Sequence, residues 1–264
     1  MITTDFVPGS PCWLDLGTPD IDAAAAFYRA VFGWHHRSFG PEAGGYGAFE
    51  LDDRTVAAIG PLGEDGARSA WMIYFATEDV DEAARVTERL GGAVRTVPTN
   101  VGEAGRMAQL TDATGARFAV WQGERASGVQ AADEPGTLCW TELMTTDVDA
   151  AKSFYGELFG WETQDMPMPG GSGTYTLISP AGGGEERMQG GMVRMSAEDL
   201  APVGGRPFWH PVFGSADCDA TVAEVTANRG TVQMGPDDVP DVGRIAVCVD
   251  PWGADFVVLT PNES

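Results

Sequence analysis

The chain contains one segment twice, and this internal repeat limits its fold more than any other feature does. Residues 11–37 and 138–164 are identical at 13 of 27 aligned positions. Both copies run from Cys-Trp on a strand pattern, through a helix pattern, to Phe-Gly-Trp. A similarity of this length indicates duplication, so the chain is predicted to contain two copies of one structural unit.

The first copy has the order strand, helix and three strands. Asp20 is the expected N-cap of a helix over Ile21–Phe32, and Gly33 is expected to end that helix. Apolar residues recur along it with helical spacing. Three short strands then follow, over Trp34–Phe39, Tyr46–Leu51 and Thr55–Ile59.

A second unit with the same order follows, and the later part of the chain repeats both units. The hairpin motif Asp-x-x-Gly of Asp112–Gly115 recurs as Asp250–Gly253 at an offset of 138. The predicted fold class is α+β, with two tandem domains, each a pair of βαβββ modules that form curved mixed sheets around a cleft. The predicted boundaries are residues 1–122 for the first domain (modules 11–60 and 70–122), 123–137 for a linker, and 138–264 for the second domain (modules 138–195 and 208–260).

The charge balance restricts the partners. The 264 residues include 16 Lys and Arg against 39 Asp and Glu, a net charge of −23. Nucleic acid is therefore not an expected partner, because binding it requires a basic surface. An acidic surface favours neutral or cationic ligands, although it can also serve solubility alone. With no apolar run of 18 residues and no signal peptide pattern, we expect a cytoplasmic protein without membrane contact, as a monomer or weak homodimer.

The four cysteines are not arranged as a redox or metal motif. They show no CxxC spacing, and Cys12 and Cys139 occupy equivalent positions of the repeat, within strand patterns. The pattern predicts buried, reduced thiols.

The repeated motifs together resemble the vicinal oxygen chelate superfamily, which includes glyoxalase I, bleomycin-resistance proteins and extradiol dioxygenases. They are four βαβββ modules, an Asp before each helix, the FYxxxFGW signature and an Asp-x-x-Gly hairpin before the last strand. The resemblance covers nearly the whole chain. Within the superfamily, the chain is most similar to a four-module bacterial branch described as 27-kDa antigens or hydroxylases. The shared scaffold hosts several unrelated functions.

The resemblance implies where a metal would bind. Metal enzymes of the superfamily place His or Gln seven residues before the helix-leading Asp, and Glu seven residues after the hairpin Asp. Those positions hold Trp13, Met72, Trp140 and His210 on the first strands, and Ala119 and Val257 on the two last strands that can be aligned. A divalent metal needs about three protein ligands, so we expect neither a metal nor another cofactor. His210 is then a former ligand, a hydrogen-bonding residue of the cleft, or a buried histidine with a structural role.

The same positions point towards the predicted clefts, together with the side chains two residues further along each strand. Trp, Tyr and Met with one carboxylate per domain suit a flat apolar ligand that carries a cation or hydroxyl groups. Core packing is the alternative for Trp13 and Trp140, but a repeated carboxylate on a core face would be costly. Asp15 or Glu142 could also act as a general base, and no catalytic residue is assigned. The predicted ligand-binding residues are Trp13, Asp15, Met72, Tyr74, Trp121, Trp140, Glu142, Met166, Met168 and His210.

Two further features each have two interpretations. The Met166–Gly171 loop, Met-Pro-Met-Pro-Gly-Gly, is either a lid over the second cleft or an inert connection. Arg106 and Arg244, which occupy equivalent positions, either bind an acidic group of a ligand or stabilise a hairpin, and the hairpin role is favoured.

These observations predict a metal-independent protein that binds small aromatic or drug-like molecules. Binding, sequestration or an accessory role in secondary metabolism or antibiotic resistance would suit such a protein. The alternative is an enzyme, a glyoxalase-like lyase or a hydroxylase or oxygenase, that uses His210, a carboxylate such as Glu142 and a divalent metal. A third interpretation is an interaction role in which the clefts no longer bind a ligand.

Overall fold

The structure is a computed structural model that describes residues 1–62, 68–168, 173–201 and 204–262. Its strands form two eight-stranded mixed sheets, one from each half of the chain. Each half contributes two modules with the order strand, helix and three strands. The predicted α+β class and the βαβββ modules are therefore confirmed.

The first sheet contains the strands of the first two modules. They are β1 (Pro11–Thr18), β2 (His35–Ser38), β3 (Gly47–Leu51), β4 (Arg54–Pro61), β5 (Ala70–Ala76), β6 (Ala93–Val101), β7 (Gly105–Thr111) and β8 (Arg117–Gly123). Their spatial order is β2-β3-β4-β1-β5-β8-β7-β6. In each module the first strand pairs in parallel with the last strand.

The second sheet repeats this arrangement. Its strands are β9 (Leu138–Thr145), β10 (Glu162–Pro167), β11 (Thr174–Ser179), β12 (Gly190–Arg194), β13 (Phe208–Gly214), β14 (Thr231–Val239), β15 (Gly243–Val249) and β16 (Asp255–Pro261). Their spatial order is β10-β11-β12-β9-β13-β16-β15-β14, which is equivalent to that of the first sheet. The duplication in the sequence is therefore also a duplication of the strand order.

Each module has one principal helix, which begins after an aspartate. The helices are α1 (Ile21–Phe32), α2 (Val80–Arg89), α3 (Val148–Phe159), the short α4 (Ala197–Leu200) and α5 (Cys218–Ala227). The carboxylate of Asp20 accepts a hydrogen bond from the backbone N–H of Ala23 at 3.0 Å, which confirms the predicted N-cap. Asp79, Asp147 and Asp217 cap their helices in the same way. Gly33 ends α1 in the left-handed conformation, as predicted.

The chain divides into two compact units that combine the modules differently from the sheets. Unit 1 consists of Met1–Trp13, Ile73–Gly128 and Trp140–Trp209, and unit 2 of Leu14–Met72, Val129–Cys139 and His210–Ser264. Within unit 1, α2 of the second module contacts α3 of the third, and within unit 2, α1 of the first contacts α5 of the fourth. Each compact unit therefore combines modules from both halves of the chain, whereas each sheet takes its strands from one half. The domain boundaries 1–122 and 138–264 stay a prediction.

A buried polar network joins the two modules of unit 1. Tyr155 of α3 donates a hydrogen bond to the carboxylate of Asp112 at 2.9 Å, and Trp209 donates to the Tyr155 hydroxyl, also at 2.9 Å. Asp112 also accepts three backbone N–H groups of its hairpin. Because a buried carboxylate must be hydrogen-bonded, the tyrosine and the hairpin aspartate stabilise each other.

Unit 2 repeats this network with the equivalent residues. Tyr28 of α1 donates to Asp250 at 3.3 Å, and Trp71 donates to the Tyr28 hydroxyl at 3.2 Å. The tyrosine of the FYxxxFGW signature and the hairpin aspartate are therefore partners in the core. Both motifs that suggested the family have structural roles in this protein.

Three further predictions concern the cysteines, the linker and contact with a membrane. All four cysteines are free thiols, and all are buried except Cys139, which is half-buried. Residues 129–137 of the predicted linker belong to unit 2, where Gln130 and Thr55 exchange hydrogen bonds at 2.7 and 2.8 Å, whereas residues 123–128 belong to unit 1. Within the part of the chain that the structure describes, no helix has the length and apolar character needed to cross a membrane.

Candidate functional site

The first strand of the third module, β9, presents alternating side chains to two faces of the sheet. Thr141, Leu143 and Thr145 are buried, and Leu143 belongs to the hydrophobic core of unit 1. Trp140 and Glu142 alternate with them and are half-buried. The two predicted residues therefore lie on the face of β9 that points away from the helix-side core.

A chain of hydrogen bonds connects these two residues through Tyr175 of β11. The indole N–H of Trp140 donates to the Tyr175 hydroxyl at 2.8 Å, and this hydroxyl donates to Glu142 Oε1 at 2.9 Å. Burial raises the pKa of Tyr175 well above its usual value, and the nearby Glu142 carboxylate raises it further. Tyr175 therefore stays protonated at neutral pH and acts as a hydrogen-bond donor to Glu142.

The surrounding strands hold Tyr175 in this position. A Cβ atom at Gly191 of β12 would lie 2.2 Å from the Tyr175 hydroxyl oxygen, so the ring occupies space that only glycine leaves open. Gly191 pairs directly with Glu142, and Met166 of β10 pairs with Tyr175, so these residues share one face. We refer to Trp140, Glu142 and Tyr175 as the Glu142 site.

Unit 2 contains a related pair at the equivalent position of the first module. The hydroxyl of Tyr46 donates to Asp15 Oδ1 at 2.6 Å. Both residues are half-buried, and the ring of Tyr46 lies where a Cβ atom at Gly60 would be only 2.8 Å away. The repeat therefore preserves a tyrosine–carboxylate pair, although Asp replaces Glu.

The sequence predictions included the two carboxylates but missed the two tyrosines. Tyr46 and Tyr175 are 129 residues apart, two more than the offset of 127 that aligns the first strands and helices. The two tyrosines become equivalent when Tyr46-Gly47-Ala48 is aligned with Tyr175-Thr176-Leu177. This alignment places two extra residues in the preceding loop of the third module.

His210 lies on β13 and is almost completely buried, with 3% of its surface exposed. Its Nε2 atom is 3.2 Å from Oδ2 of Asp255, at the start of β16. This proximity favours a polar partnership on the sheet face over a purely apolar environment. Asp255 was not predicted, because it stands five residues after the hairpin Asp250 rather than seven.

The donor groups do not fit a catalytic divalent metal. His210 provides the one imidazole among the four first-strand positions, and Asp255 is the carboxylate beside it. Among the residues that the structure describes, no group of three or more His, Cys, Asp and Glu side chains is arranged to hold an ion. A protein site for such a metal uses about three ligands, one more than this pair offers.

The remaining predicted residues occupy several places. Trp13 and Met72 are half-buried, whereas Tyr74 is buried with 4% of its surface exposed. The half-buried Trp121 donates its indole N–H to the Ala126 carbonyl at 2.8 Å. Met168 is half-buried, and its backbone N–H bonds to Gly173.

The predicted lid is in part a regular strand. Met166 and Pro167 belong to β10, where they pair with Tyr175 and Thr174. Residues 169–171 of the predicted lid lie outside the described residues. Two surface cavities, of about 170 and about 290 Å³, are lined by other side chains and include none of the predicted site residues.

The equivalent arginines bind helices of their own modules. Arg106 contacts Asp81 of α2 through two hydrogen bonds of 2.9 and 3.0 Å. Arg244 bonds to Asp219 of α5 in the same two-point manner. Each guanidinium holds the pKa of its aspartate below the usual value, and both arginines thus connect a hairpin to a helix.

The fold and these sites define a protein of four βαβββ modules with tyrosine–carboxylate pairs on the first-strand faces of the first and third modules. The family model of the Glyoxalase/Bleomycin resistance protein/Dioxygenase superfamily matches residues 12–120 and 137–258. The chain belongs to this superfamily, as the sequence motifs indicated.

Full-length relatives have related names. The chain is 36% identical to "Anthracycline biosynthesis protein DnrV" of Streptomyces peucetius, over 98% of this chain and 96% of that protein. It is 37% identical to "Putative glyoxylase CFP32" of Mycobacterium tuberculosis (strain CDC 1551 / Oshkosh), over 98% of this chain and 97% of that protein. The solved structure of the 2,3-dioxygenase LapB from Pseudomonas sp. KL28 aligns with a TM-score of 0.66 and 14% identity, over 98% of this chain and 94% of that one. At this identity the structural similarity shows the fold alone.

Proposed function

We propose that this protein binds a small aromatic or drug-like molecule without using a metal, in the biosynthesis of an antibiotic or in resistance to one. The observation that carries the proposal is the Glu142 site, where an indole and a carboxylate are held in fixed positions by a tyrosine. Fixed, half-exposed aromatic rings bind flat ligands well, because little side-chain entropy is lost on binding.

The donor set and the relatives both support this proposal. Trp13 and Trp140 stand at first-strand positions where metal enzymes of the superfamily carry ligands, and indoles do not coordinate divalent metals. The name of the Streptomyces peucetius relative, "Anthracycline biosynthesis protein DnrV", concerns the production of a polycyclic aromatic compound. A ligand of that general shape would suit a surface of indole and phenol rings.

Binding is tested by titrating the protein with neutral tricyclic aromatics, such as 9-anthracenemethanol, by calorimetry. We expect binding that persists after dialysis against a chelator. Trp140→Leu should weaken it by roughly two- to tenfold, the range given by one aromatic contact. Trp252→Leu, which changes another half-buried indole on a hairpin of unit 2, is the matched control and should leave the affinity unchanged. Absence of binding across a broad panel would contradict the proposal.

An enzymatic function is the second candidate, and the proximity of His210 to Asp255 favours it. In that case a lyase or an oxygenase would use this pair and complete a metal site with further donors, such as substrate atoms. Elemental analysis of the purified protein separates the two functions. Stoichiometric zinc, iron, manganese or nickel that is lost in a His210→Ala variant would favour the enzyme.

A further inference from the structure

Glu142 differs in its partner from the carboxylates of unit 1 that form ion pairs. Asp165 binds Lys152 at 2.6 Å, and Asp81 binds Arg106, so these acids are balanced by cations. Among the described residues, the hydrogen bond to Glu142 comes from the neutral hydroxyl of Tyr175, and no ion pair includes it. A half-buried carboxylate without a cation retains part of its desolvation cost.

The geometry of the Glu142 site leaves one acceptor for a ligand. Tyr175 uses its proton on Oε1 of Glu142 and in turn accepts the Trp140 indole N–H, so the hydroxyl is occupied as both donor and acceptor. Within the described chain, no hydrogen bond reaches Oε2 of Glu142. The carboxylate is therefore oriented by Tyr175, with a second oxygen that can accept from a bound molecule.

We propose that Glu142 binds a protonated amine of the ligand, so that this protein selects aromatic molecules that carry an ammonium group. The inference rests on the proposed function and adds the chemical class of the ligand. An ammonium group supplies both a hydrogen bond and the missing positive charge, whereas a hydroxyl supplies the hydrogen bond alone. The Trp140 ring adds a cation–π contact, and the net charge of −23 attracts cations to the surface.

A matched pair of probes tests the inference. 9-(Aminomethyl)anthracene and 9-anthracenemethanol share the same ring system, and the first is an ammonium ion at neutral pH. Their affinities are compared by calorimetry for the unmodified protein and for Glu142→Gln, in which the amide oxygen can still accept from Tyr175. We expect the unmodified protein to prefer the amine by roughly 10- to 100-fold, which is the range of a charge-assisted hydrogen bond. In Glu142→Gln the ratio of the two affinities should fall to about one.

Glu157→Gln is the control for general electrostatic attraction. Glu157 is an exposed residue of α3, so its substitution removes the same charge elsewhere in unit 1 and should leave the ratio unchanged. Tyr175→Phe, which keeps the carboxylate but removes the group that orients it, should lower the ratio partly.

The outcomes separate the two proposals. Equal binding of amine and alcohol by the unmodified protein would overturn the inference and leave the proposed function standing. A preference for the amine that survives in Glu142→Gln would overturn the assignment to this residue. Failure of both probes to bind would count against the proposed function as well.

Discussion

At the scale of single residues, the buried Asp250 makes the stability of the protein depend on pH. Burial raises its pKa above the usual value, while hydrogen bonds from Ala254 and Trp252 partly oppose the rise. The folded protein therefore binds this proton more tightly than the unfolded chain, where the pKa is about 3.9. The contribution of Asp250 to the free energy of unfolding therefore decreases as the pH rises from about 3.9 to the raised pKa of the folded state.

Asp250→Asn removes that ionisation and keeps an oxygen that can accept the two backbone hydrogen bonds. We expect the stability of the variant, relative to the unmodified protein, to increase with pH across the same range. Urea unfolding at a series of acidic pH values measures the difference. A difference that stays constant, or decreases with pH, would contradict the interpretation.

The sequence predicted those residues of the candidate site that follow from the alternation of side chains along a single strand. Trp140 and Glu142 share a face because side chains two apart on a strand do so, and no tertiary information is needed. Tyr175 was missed because it follows a loop whose length differs between the copies. Asp255 was missed because its proximity to His210 depends on the register between β13 and β16, which strand periodicity does not reveal.

At the scale of elements, a glycine inside helix α3 and the glycine that ends it have opposite roles. Gly156 is inside the helix, and an added Cβ atom would meet its nearest neighbour, the Trp161 carbonyl oxygen, at 3.9 Å. Gly160 ends the helix with φ of 72°, in the left-handed region. We expect Gly156→Ala to raise the free energy of unfolding by about 0.5–1 kcal/mol and Gly160→Ala to lower it by about 1–2 kcal/mol. Thermal and urea unfolding of the two variants measure both changes, and equal signs would contradict the assignment.

The elements themselves follow closely from local sequence signals. An aspartate cap, an apolar stripe and a terminal glycine define α1, and the repeat transfers the same boundaries to α3. The combination of modules in the compact units does not follow from such signals. It depends on which helix faces pack together and on partners such as Tyr155 and Asp112, which lie 43 residues apart in the chain.

At the scale of the whole molecule, the excess of acidic residues opposes folding through repulsion among like charges. Surface ion pairs such as Arg106–Asp81 offset little of it, because solvent screens the attraction within exposed pairs. Raising the ionic strength from about 0.01 M to about 1 M shortens the screening length from about 30 Å to about 3 Å. We therefore expect the melting temperature at neutral pH to rise with sodium chloride, because repulsion summed over a net charge of −23 is reduced more than the attraction within a few pairs. Calorimetric melting at several salt concentrations measures this, and the increase should diminish as acid titrates the carboxylates. A melting temperature that falls with salt would show that attractive pairs, and not net repulsion, dominate the electrostatic free energy of this fold.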